Sequence, residues 1–592
     1  MAAVLAGICA AACAPRPSEP AAEPAPAASS PTEATVVGPA VFEDRAAATG
    51  LDFTHFNGMT GSYLFPEVMG SGCALVDVDG DGDLDAYLVQ GAFLEPGKGD
   101  ADALIPPPAG PLVDRLFLNR LVESGELRFD DVTATSGIEA AGYGRGVAVG
   151  DADGDGWPDI YVTNVGSNQL WRNRGDGTFE DATERAGADD RRWSVPAVFL
   201  DYDRDGRLDL FVGNYVDFDL ATHDACKAGM DARDYCGPGF FEPAPDRLLH
   251  NRGAGRFTDV TLAAGMGREY GRALGAVAGD FDDDGRPDLY VANDWTPNQM
   301  WMNTGSGFEN RALLGGTALN GKGAAEAGMG VDVADYDRDG DEDIFVTHLS
   351  GETNTLYRNQ GGSVFSDVSQ LSMLGGPSLP TTGFGTAFFD FDNDGWLDVV
   401  VFNGAVSAST ATFDRAVRGL ESGEGLGGVA ALAQPNHLYR GHESGEFENV
   451  SARGGDGFRE LEVSRGAAFG DVDNDGDIDV LVSNNSGPAR LLINGVGQES
   501  RWIGLALRSD GGVGIGSVVT VTTEDGAVLR RRVRTSMSYA SSSDPRVLVG
   551  LGAAGRVAEV RVRWLEGGYE SYGALEPGRY HVLRRGAGKP AG

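Results

Sequence analysis

The sequence predicts an all-β protein, in which a seven-bladed β-propeller is closed by the N-terminal strand and followed by a small β-sandwich-like domain. Three observations predict this fold. A nine-residue motif, D-x-D-x-D-G-x-x-D, occurs seven times, short strand-like runs flank the copies, and the strand missing after the seventh copy stands before the first. A series of units with about four short strands each is what a propeller needs.

Each copy of the motif offers the donors that a hard divalent cation prefers. Carboxylates stand at positions 1, 3, 5 and 9, and glycine at position 6 supplies a sharp turn. Position 7 varies among Asp, Trp and Arg, so only its backbone carbonyl is common to all copies. We therefore expect up to seven calcium ions that serve stability; solvated acidic turns without ions are the alternative. The predicted ligands are Asp77, Asp79, Asp81, Asp83 and Asp85; Asp151, Asp153, Asp155, Trp157 and Asp159; Asp201, Asp203, Asp205, Arg207 and Asp209; Asp280, Asp282, Asp284, Arg286 and Asp288; Asp335, Asp337, Asp339, Asp341 and Asp343; Asp390, Asp392, Asp394, Trp396 and Asp398; and Asp471, Asp473, Asp475, Asp477 and Asp479.

The motif lies between strands, which separates it from an EF-hand with its flanking helices and closing glutamate. Apolar and β-branched runs precede the loops at 74–76, 197–200 and 387–389, and follow them at 86–89, 160–162 and 210–212. Each loop is therefore predicted to join two β-strands.

Aligning the loops reveals a longer unit of about 50 residues, with insertions at 91–111, 221–245 and 404–435. An amide or imidazole side chain stands thirteen residues after each first aspartate. These side chains would either cap turns at strand ends or form a circle of groups available to a ligand. They are Gln90, Asn164, Asn214, Asn293, His348, Asn403 and Asn484.

The last strand of the unit begins with phenylalanine and follows loops one to six but not loop seven. A matching Phe42-Glu-Asp precedes the first loop, so the N-terminus is predicted to complete the last blade and leave no open sheet edge. The six internal copies begin at Phe129, Phe179, Phe257, Phe308, Phe365 and Phe447.

The chain of 592 residues is strongly acidic, with 88 acidic and 47 basic residues and a formal charge of −41. Phosphate would be repelled, and no basic stripe with interleaved aromatics occurs, so nucleic acid is excluded as a partner. Ion-free protein would repel itself, which predicts that folding and metal occupancy are coupled.

The N-terminus predicts export. Residues 2–12 form an apolar run too short to span a bilayer, followed by Cys13 and a Pro/Ala-rich stretch over 14–38 that we interpret as a linker. Residues 1–13 resemble a bacterial lipoprotein signal with Cys13 as the lipidation site; Cys9 competes for that role, and an ordinary secretory signal is the alternative. Any membrane association is expected through this anchor.

Two further cysteines, Cys226 and Cys236, bracket a polar insertion at a spacing unsuited to a redox C-x-x-C or to zinc, so we predict a disulfide. Cys73, on a strand, is predicted to be a buried free thiol.

The C-terminal region alternates in strand fashion over 501–507, 517–522, 528–533, 557–564 and 580–583, and residues 587–592 are taken as a tail. The glycine-rich run at 511–516 is not a nucleotide loop, because no helix-forming run follows it.

These motifs carry a family resemblance. The aspartate loop inside a Phe/Gly-containing repeat resembles the FG-GAP/VCBS blade of integrin α-chain propellers. The order of Pro66-Glu-Val-Met-Gly, Ala327-Gly-Met-Gly-Val and Thr382-Gly-Phe-Gly-Thr is similar to the cartilage acidic protein (CRTAC) family. Residues 500–586, with Ser538-Tyr-Ala-Ser-Ser, resemble its ASPIC/UnbV domain, although Leu565 replaces a usual proline. The resemblance implies calcium binding, export and, in animal members, an adhesive or matrix role.

The domain prediction is thus a propeller over 39–496 followed by the ASPIC/UnbV domain over 500–586. The leading functional hypothesis is a non-enzymatic binding or adhesion module at the cell envelope, monomeric, with an unidentified protein or glycan ligand. One alternative is an exported polysaccharide lyase or hydrolase, for which His55, Glu67 and His348 would be tested first. The other is a scaffold that assists a partner enzyme and docks through its C-terminal domain. No catalytic set is predicted, because the seven histidines are scattered singly.

Overall fold

The computed structural model describes residues 39–223, 226–228, 232–407, 431–509 and 512–591. The predicted signal segment with Cys13, the linker over 14–38 and most of the insertion at 404–435 lie outside these residues.

Seven sheets recur along the described chain, each built on four antiparallel strands, and each carries one aspartate loop between its first two strands. The position of each loop between two strands confirms the strand–loop–strand prediction. The sheets are numbered 1 to 7 after their loops. The N-terminal strand is β1 (Phe42–Asp44). Sheet 1 holds β2 (Cys73–Val76), β3 (Asp85–Leu88), β4 (Arg115–Asn119) and β5 (Phe129–Asp131); sheet 2 holds β6 (Gly144–Gly150), β7 (Asp159–Asn164), β8 (Gln169–Asn173) and β9 (Phe179–Asp181); sheet 3 holds β10 (Ser194–Leu200), β11 (Asp209–Asn214), β14 (Arg247–Asn251) and β15 (Phe257–Asp259), with the separate hairpin β12 (Cys226–Ala228) and β13 (Ala232–Asp234); sheet 4 holds β16 (Ala273–Gly279), β17 (Asp288–Asn293), β18 (Gln299–Asn303) and β19 (Phe308–Asn310); sheet 5 holds β20 (Val331–Ala334), β21 (Asp343–Val346), β22 (Thr355–Asn359) and β23 (Phe365–Asp367); sheet 6 holds β24 (Gly383–Phe389), β25 (Asp398–Asn403), β26 (His437–Gly441) and β27 (Phe447–Asn449); and sheet 7 holds β28 (Ser464–Gly470), β29 (Asp479–Asn484) and β30 (Arg490–Asn494).

The N-terminal strand β1 completes sheet 7, as predicted. It pairs antiparallel with β30, so that Phe42 lies opposite Asn494, and Arg490 donates to the Asp44 carboxylate at 2.8 Å. The first strands of successive sheets contact one another, and the first strand of sheet 7 contacts that of sheet 1. The arrangement is propeller-like.

Neighbouring sheets are held together by apolar side chains. One buried cluster joins sheets 1 and 2 through Tyr87, Val147 and Trp171, and another joins sheets 4 and 5 through Tyr290 and Tyr357. Both faces of each sheet are covered, which explains why the central strands are apolar without strict alternation.

Short helical turns connect the strands. The α-helical turns are Ala46–Thr49, Leu121–Ser124, Thr133–Ser136, Thr183–Ala186, Ala312–Gly315, Gly375–Ser378 and Asp456–Arg459, and the 3-10 turns are Phe65–Val68, Asp100–Asp102, Pro238–Phe240, Ser451–Arg453 and Gly497–Glu499. Of the helices in the described part of the chain, none has the length and apolar character needed to cross a bilayer.

The C-terminal domain contains two sheets around a core that includes Ile503, Val519, Val560 and Trp564. The five predicted strands are present. The prediction of a tail from 587 is wrong, because Lys589–Ala591 pairs with Tyr569–Gly573 at the edge of the second sheet. The strands are β31 (Trp502–Ser509), β32 (Gly512–Val513), β37 (Val547–Gly550) and β40 (Tyr580–Arg584) in the first sheet, and β33 (Val518–Thr523), β34 (Val528–Arg532), β38 (Val557–Arg563), β39 (Tyr569–Gly573) and β41 (Lys589–Ala591) in the second.

Residues 535–544, which we call the central hairpin, leave this domain and enter the centre of the repeat region. Strands β35 (Ser536–Met537) and β36 (Ser541–Ser542) extend sheet 1, where β36 pairs with β2. Hydrogen bonds also join the hairpin to the first strands of sheets 2, 5, 6 and 7 through Val147, Val331, Thr386 and Phe469.

Tyr539 forms the tip of the central hairpin and is fully buried. Its ring meets Phe384 edge to face at 4.8 Å, and its hydroxyl donates to the Met69 carbonyl at 3.1 Å. Arg465 binds the neighbouring Val68 carbonyl at 2.6 Å. The centre of the repeat region is therefore filled, and the central hairpin contributes Tyr539 and Ala540 to its core.

The predicted disulfide between Cys226 and Cys236 is present, with Cα atoms 5.0 Å apart. Cys73 is a buried free thiol, as predicted.

Candidate metal centres in the aspartate loops

The aspartate loops are shaped by hydrogen bonds from their own backbone. In the second loop the Gly156 amide donates to Asp151 Oδ2 at 2.8 Å, and the equivalent glycine does so in the third, fourth, sixth and seventh loops. Glycine at this place adopts φ of +95° in the second loop, in the left-handed region that other residues avoid.

The closing aspartate ties each loop to its sheet. Asp159 accepts the Ala152 amide at 3.0 Å on one oxygen and the Asn173 amide at 2.8 Å on the other. All seven closing aspartates make this pair of bonds. Each carboxylate oxygen has a second lone pair for a further ligand, and on Asp209 Oδ1 the Nδ1 atom of His250 lies at 3.0 Å.

The recurring asparagine at the end of the third strand links neighbouring sheets. Asn173 donates to the Val78 carbonyl of the first loop at 2.8 Å, and Asn119 donates to the Val472 carbonyl of the seventh loop at 3.0 Å. Equivalent bonds start from Asn251, Asn303, Asn359 and Asn494. Sheet 6 has Gly441 at this place.

The loops bring together the carboxylates that the sequence predicted. In the second loop, oxygens of Asp151, Asp153 and Asp159 lie within 4.8 Å of one another, and the first and third loops hold comparable groups. Burial raises the pKa of Asp159 to about 8 and that of Asp343 to about 9, with neighbouring carboxylates adding to the shift.

Several loop oxygens are buried without a hydrogen-bond donor among the described residues. A cation would supply the missing partner, so the donor set fits calcium. These oxygens belong to Asp79, Asp81, Asp83, Asp280, Asp335, Asp392, Asp473 and Asp477.

Basic side chains from the third strands also enter the loops, which sequence reasoning missed. Arg172 pairs with Asp153 and Asp155, Arg440 pairs with Asp392 at 2.8 Å, and Arg358 pairs with Asp337 at 2.7 Å. The sequence does contain a pattern that predicts these contacts. Each arginine directly precedes the last residue of the third strand and so faces its own loop.

The side chains at position 7 differ in role. Arg207 and Arg286 pair with aspartates of their own loops, whereas Asp83 and Asp477 are fully buried. Trp157 packs against Gly80 of the first loop, so it also fills space between adjacent loops.

The C-terminal domain covers much of the loop-bearing side. Arg532 pairs with Glu342 at 2.7 Å, Arg534 with Asp332 at 2.6 Å, and Arg563 with Asp280 at 2.6 Å. Tyr580 donates to Asp471 at 2.9 Å. The arginine-rich run at 530–534 was missed as a functional element, although its charge opposes that of the loops.

A cavity of about 550 Å³ lies between the first two loops and the C-terminal domain. Its walls include Asp77, Asp151, Trp157 and Val513, and Arg508 reaches it from β31.

The seven side chains that stand thirteen residues after each first aspartate are buried, and five of them donate to backbone carbonyls: Gln90, Asn214, Asn293, Asn403 and Asn484. Asn214 donates to the Pro245 carbonyl and Asn293 to the Pro297 carbonyl, both at 2.8 Å. Turn capping explains Asn214, Asn293, Asn403 and Asn484, and the burial of all seven side chains leaves no circle of exposed amides for a ligand.

The three residues considered for catalysis each contact a different partner. Glu67 accepts the Tyr235 hydroxyl at 3.1 Å, and burial raises its pKa to about 8. His55 accepts the Ser486 amide at 3.2 Å, and His348 lies 3.9 Å from Glu326. Burial lowers the pKa of each histidine to about 3.

Two family models match the chain. The FG-GAP-like repeat model matches residues 151–212, 239–291, 280–346 and 335–401, and the ASPIC and UnbV model matches residues 510–590. Human cartilage acidic protein 1 is 28% identical over 314 residues, which cover 50% of this chain and 40% of that protein. The Xenopus tropicalis protein of the same name is 24% identical over 529 residues, covering 85% of this chain and 71% of its own length.

Solved structures show weaker similarity. Saccharomyces cerevisiae Sqt1 aligns with a TM-score of 0.36 and 9% identity, covering 72% of this chain and 96% of that one. An Agrocybe aegerita lectin that recognises non-reducing terminal N-acetylglucosamine aligns with a TM-score of 0.35 and 16% identity, covering 64% of this chain and 86% of the lectin chain. TM-scores this low do not establish a shared fold.

Proposed function

Because this chain carries FG-GAP-like repeats and a C-terminal ASPIC and UnbV domain, and is related to cartilage acidic protein 1, we propose that it is an exported, calcium-stabilised, non-enzymatic binding module at the cell envelope. Its seven sheets would form a closed seven-bladed propeller. The pairing of β1 with β30 and the contact between the first strands of sheets 7 and 1 support closure.

The observation that carries the calcium proposal is the set of buried loop oxygens that have no donor within the described part of the chain. The motif aspartates, with the carbonyl of position 7, would hold the ions, and bound calcium would supply positive charge to carboxylates that otherwise repel one another. Since unfolded loops lack this geometry, ion binding would stabilise the fold.

Melting temperatures in excess calcium and in excess chelator test this part. We expect the melting temperature to fall by roughly ten degrees or more without calcium, because several buried carboxylate clusters would lose their cations together. An unchanged melting temperature would show that the loops need no ion.

Export is supported by the apolar N-terminal run before Cys13 and by the Cys226–Cys236 disulfide, because disulfides persist in oxidising compartments. Cell fractionation with an antibody tests it, and recovery in the cytosol would contradict it.

An exposed leucine strip supports the binding role. In sheets 3, 4 and 5 the turn after the fourth strand presents apolar side chains that are 58–83% exposed. The turn of sheet 3 bonds to the fourth strand of sheet 4 through Ala264 and Phe308, so the strip runs along adjacent sheets. The strip consists of Leu262, Leu313, Leu314, Leu371 and Met373.

The same turn is small or polar in other sheets, with Ala134 in sheet 1, Glu184 and Arg185 in sheet 2, and Ala452 in sheet 6. At this turn, exposed large apolar side chains occur in sheets 3 to 5, and a contiguous apolar patch of this kind is typical of a protein-interaction site. With a net charge of −41, the protein favours a partner whose apolar patch has basic flanks.

Photo-crosslinking in the producing cells tests this site. A photoreactive amino acid at Leu314 should crosslink a second protein, whereas the same group at Arg185, the matched position in sheet 2, should not. Binding of the purified partner should then be weakened at least tenfold by Leu314→Ser. A crosslink only to another copy of this chain, or none, would reject the partner proposal.

A further inference from the structure

The first aspartate loop contains two overlapping groups of carboxylates. Oxygens of Asp77, Asp79 and Asp85 lie within 4.8 Å of one another, as the motif requires. Oxygens of Asp79, Asp81 and Glu123 form a second group within the same distance. Asp79 belongs to both groups, and a carboxylate has two oxygens that can serve two ions.

Asp83 adds a buried carboxylate beside the second group. Its side chain is fully buried, and one oxygen accepts the Val122 amide at 2.9 Å. The other oxygen has no donor among the described residues, and the same is true of Asp79 Oδ1 and Asp81 Oδ2. Buried acceptors without donors cost free energy unless a proton or a cation lies among them.

The second group originates in a local feature of sheet 1. The helical turn Leu121–Ser124 follows β4 and presents Glu123 to the loop, while its Val122 amide binds Asp83. In the second loop Arg172 neutralises the outer aspartates, but Leu118 stands at the matching position of sheet 1. The first loop therefore has an additional carboxylate, Glu123, whereas the second loop has the positively charged side chain of Arg172.

We propose that the first loop binds a second divalent cation through Asp79, Asp81, Asp83 and Glu123, next to the ion held by the motif. Oxygen-only ligands indicate a hard cation such as calcium or magnesium. The two ions would share Asp79. This inference rests on the proposal that the loops bind calcium, and it adds a site that the repeated motif does not contain.

A competing role for Glu123 is its ion pair with Arg120 at 3.0 Å. Arg120 also pairs with Asp130 at 3.0 Å, so it keeps a partner when Glu123 turns toward a cation. If the ion pair were the whole role of Glu123, its replacement would change stability slightly and leave the number of bound cations unchanged.

Native mass spectrometry of the calcium-loaded full chain tests the proposal by counting cations. The double substitution Glu123→Gln with Asp83→Asn should bind one cation fewer than the wild type. Glu126→Gln, an exposed glutamate in the same connection, should bind the wild-type number. Equal counts for all three proteins would overturn the second site, whereas no bound calcium in any of them would overturn the proposed function.

A terbium titration provides a second measurement that does not depend on the total count. Trp157 packs against Gly80 in the first loop and should sensitise terbium bound there. We expect Glu123→Gln to remove one luminescence step and Glu126→Gln to leave the curve unchanged. Circular dichroism would confirm that both variants fold, and an unchanged curve for Glu123→Gln would contradict the proposal.

Discussion

The guanidinium of Arg563 in the C-terminal domain lies 2.6 Å from Oδ2 of Asp280, the first carboxylate of the fourth aspartate loop. The Asp280 side chain is 1% exposed and that of Arg563 is 15% exposed. One carboxylate therefore serves both the contact between the domains and a predicted ion site.

Replacing Arg563 by methionine should expose this double role. In chelator the variant should lose roughly 2 kcal/mol of unfolding free energy, because the buried Asp280 loses its nearest cationic partner. Arg532, 4.0 Å away, and the solvated outer edge of Arg563 limit the loss. In calcium the loss should shrink, since the ion replaces the lost charge. Arg561→Met, on the same strand and exposed, is the control; an equal loss in both conditions would mean that the loop binds no ion.

The central hairpin should contribute strongly to stability. Tyr539→Ala removes a fully buried ring packed on Phe384 and should cost about 3–5 kcal/mol. Tyr539→Phe loses only the hydroxyl bond to Met69 and should cost about 1 kcal/mol. Calorimetry measures both, and a wild-type melting temperature for Tyr539→Ala would show that the hairpin is dispensable.

Stability should depend on pH in opposite directions with and without calcium. Burial raises the pKa of Asp159 and Asp209 to about 8, from an ordinary value of 3.8. Without metal, the fold favours the protonated forms, so stability is greatest in acid and falls as pH rises toward 8. Calcium favours the ionised forms instead. The melting-temperature difference between calcium and chelator should therefore grow from about pH 5 to about pH 8, and a constant difference would contradict this reasoning.

The disulfide should protect one insertion against proteolysis. Lys227 and Arg233 lie between Cys226 and Cys236 and are trypsin sites. Closing a loop of this size raises the free energy of the open, cleavable chain by about 3 kcal/mol. Reduction of the disulfide should therefore speed cleavage at these sites roughly tenfold or more. The double variant Cys226→Ser with Cys236→Ser should behave like the reduced protein. Cleavage at equal rates before and after reduction would show that other contacts hold the insertion.

The repeat region could be predicted because its information is local. Each motif fixes the spacing of its carboxylates, and the adjoining runs, such as residues 160–162, are apolar and β-branched. The pairing of Phe42 with the last sheet followed from counting strands, since an unpaired edge would otherwise remain.

The central hairpin could not be predicted in this way. Its strands Ser536–Met537 and Ser541–Ser542 have two residues each and no apolar alternation. They form because distant strands supply backbone partners, which no local pattern encodes. The tail expected over 587–592 has a related explanation, because Lys589 and Pro590 suit an exposed edge strand as well as a disordered end.

Two long-range contacts determine when the first strands can complete their folding during synthesis. The Leu491 amide binds Asp44, 447 residues away in sequence, and the Cys73 amide binds Ser541 across 468 residues. During synthesis on the ribosome, the N-terminal strands have no partners for their edge backbone groups until almost the whole polypeptide has emerged. Chains released early would display those edges to chaperones and proteases, so the architecture distinguishes finished molecules from truncated ones.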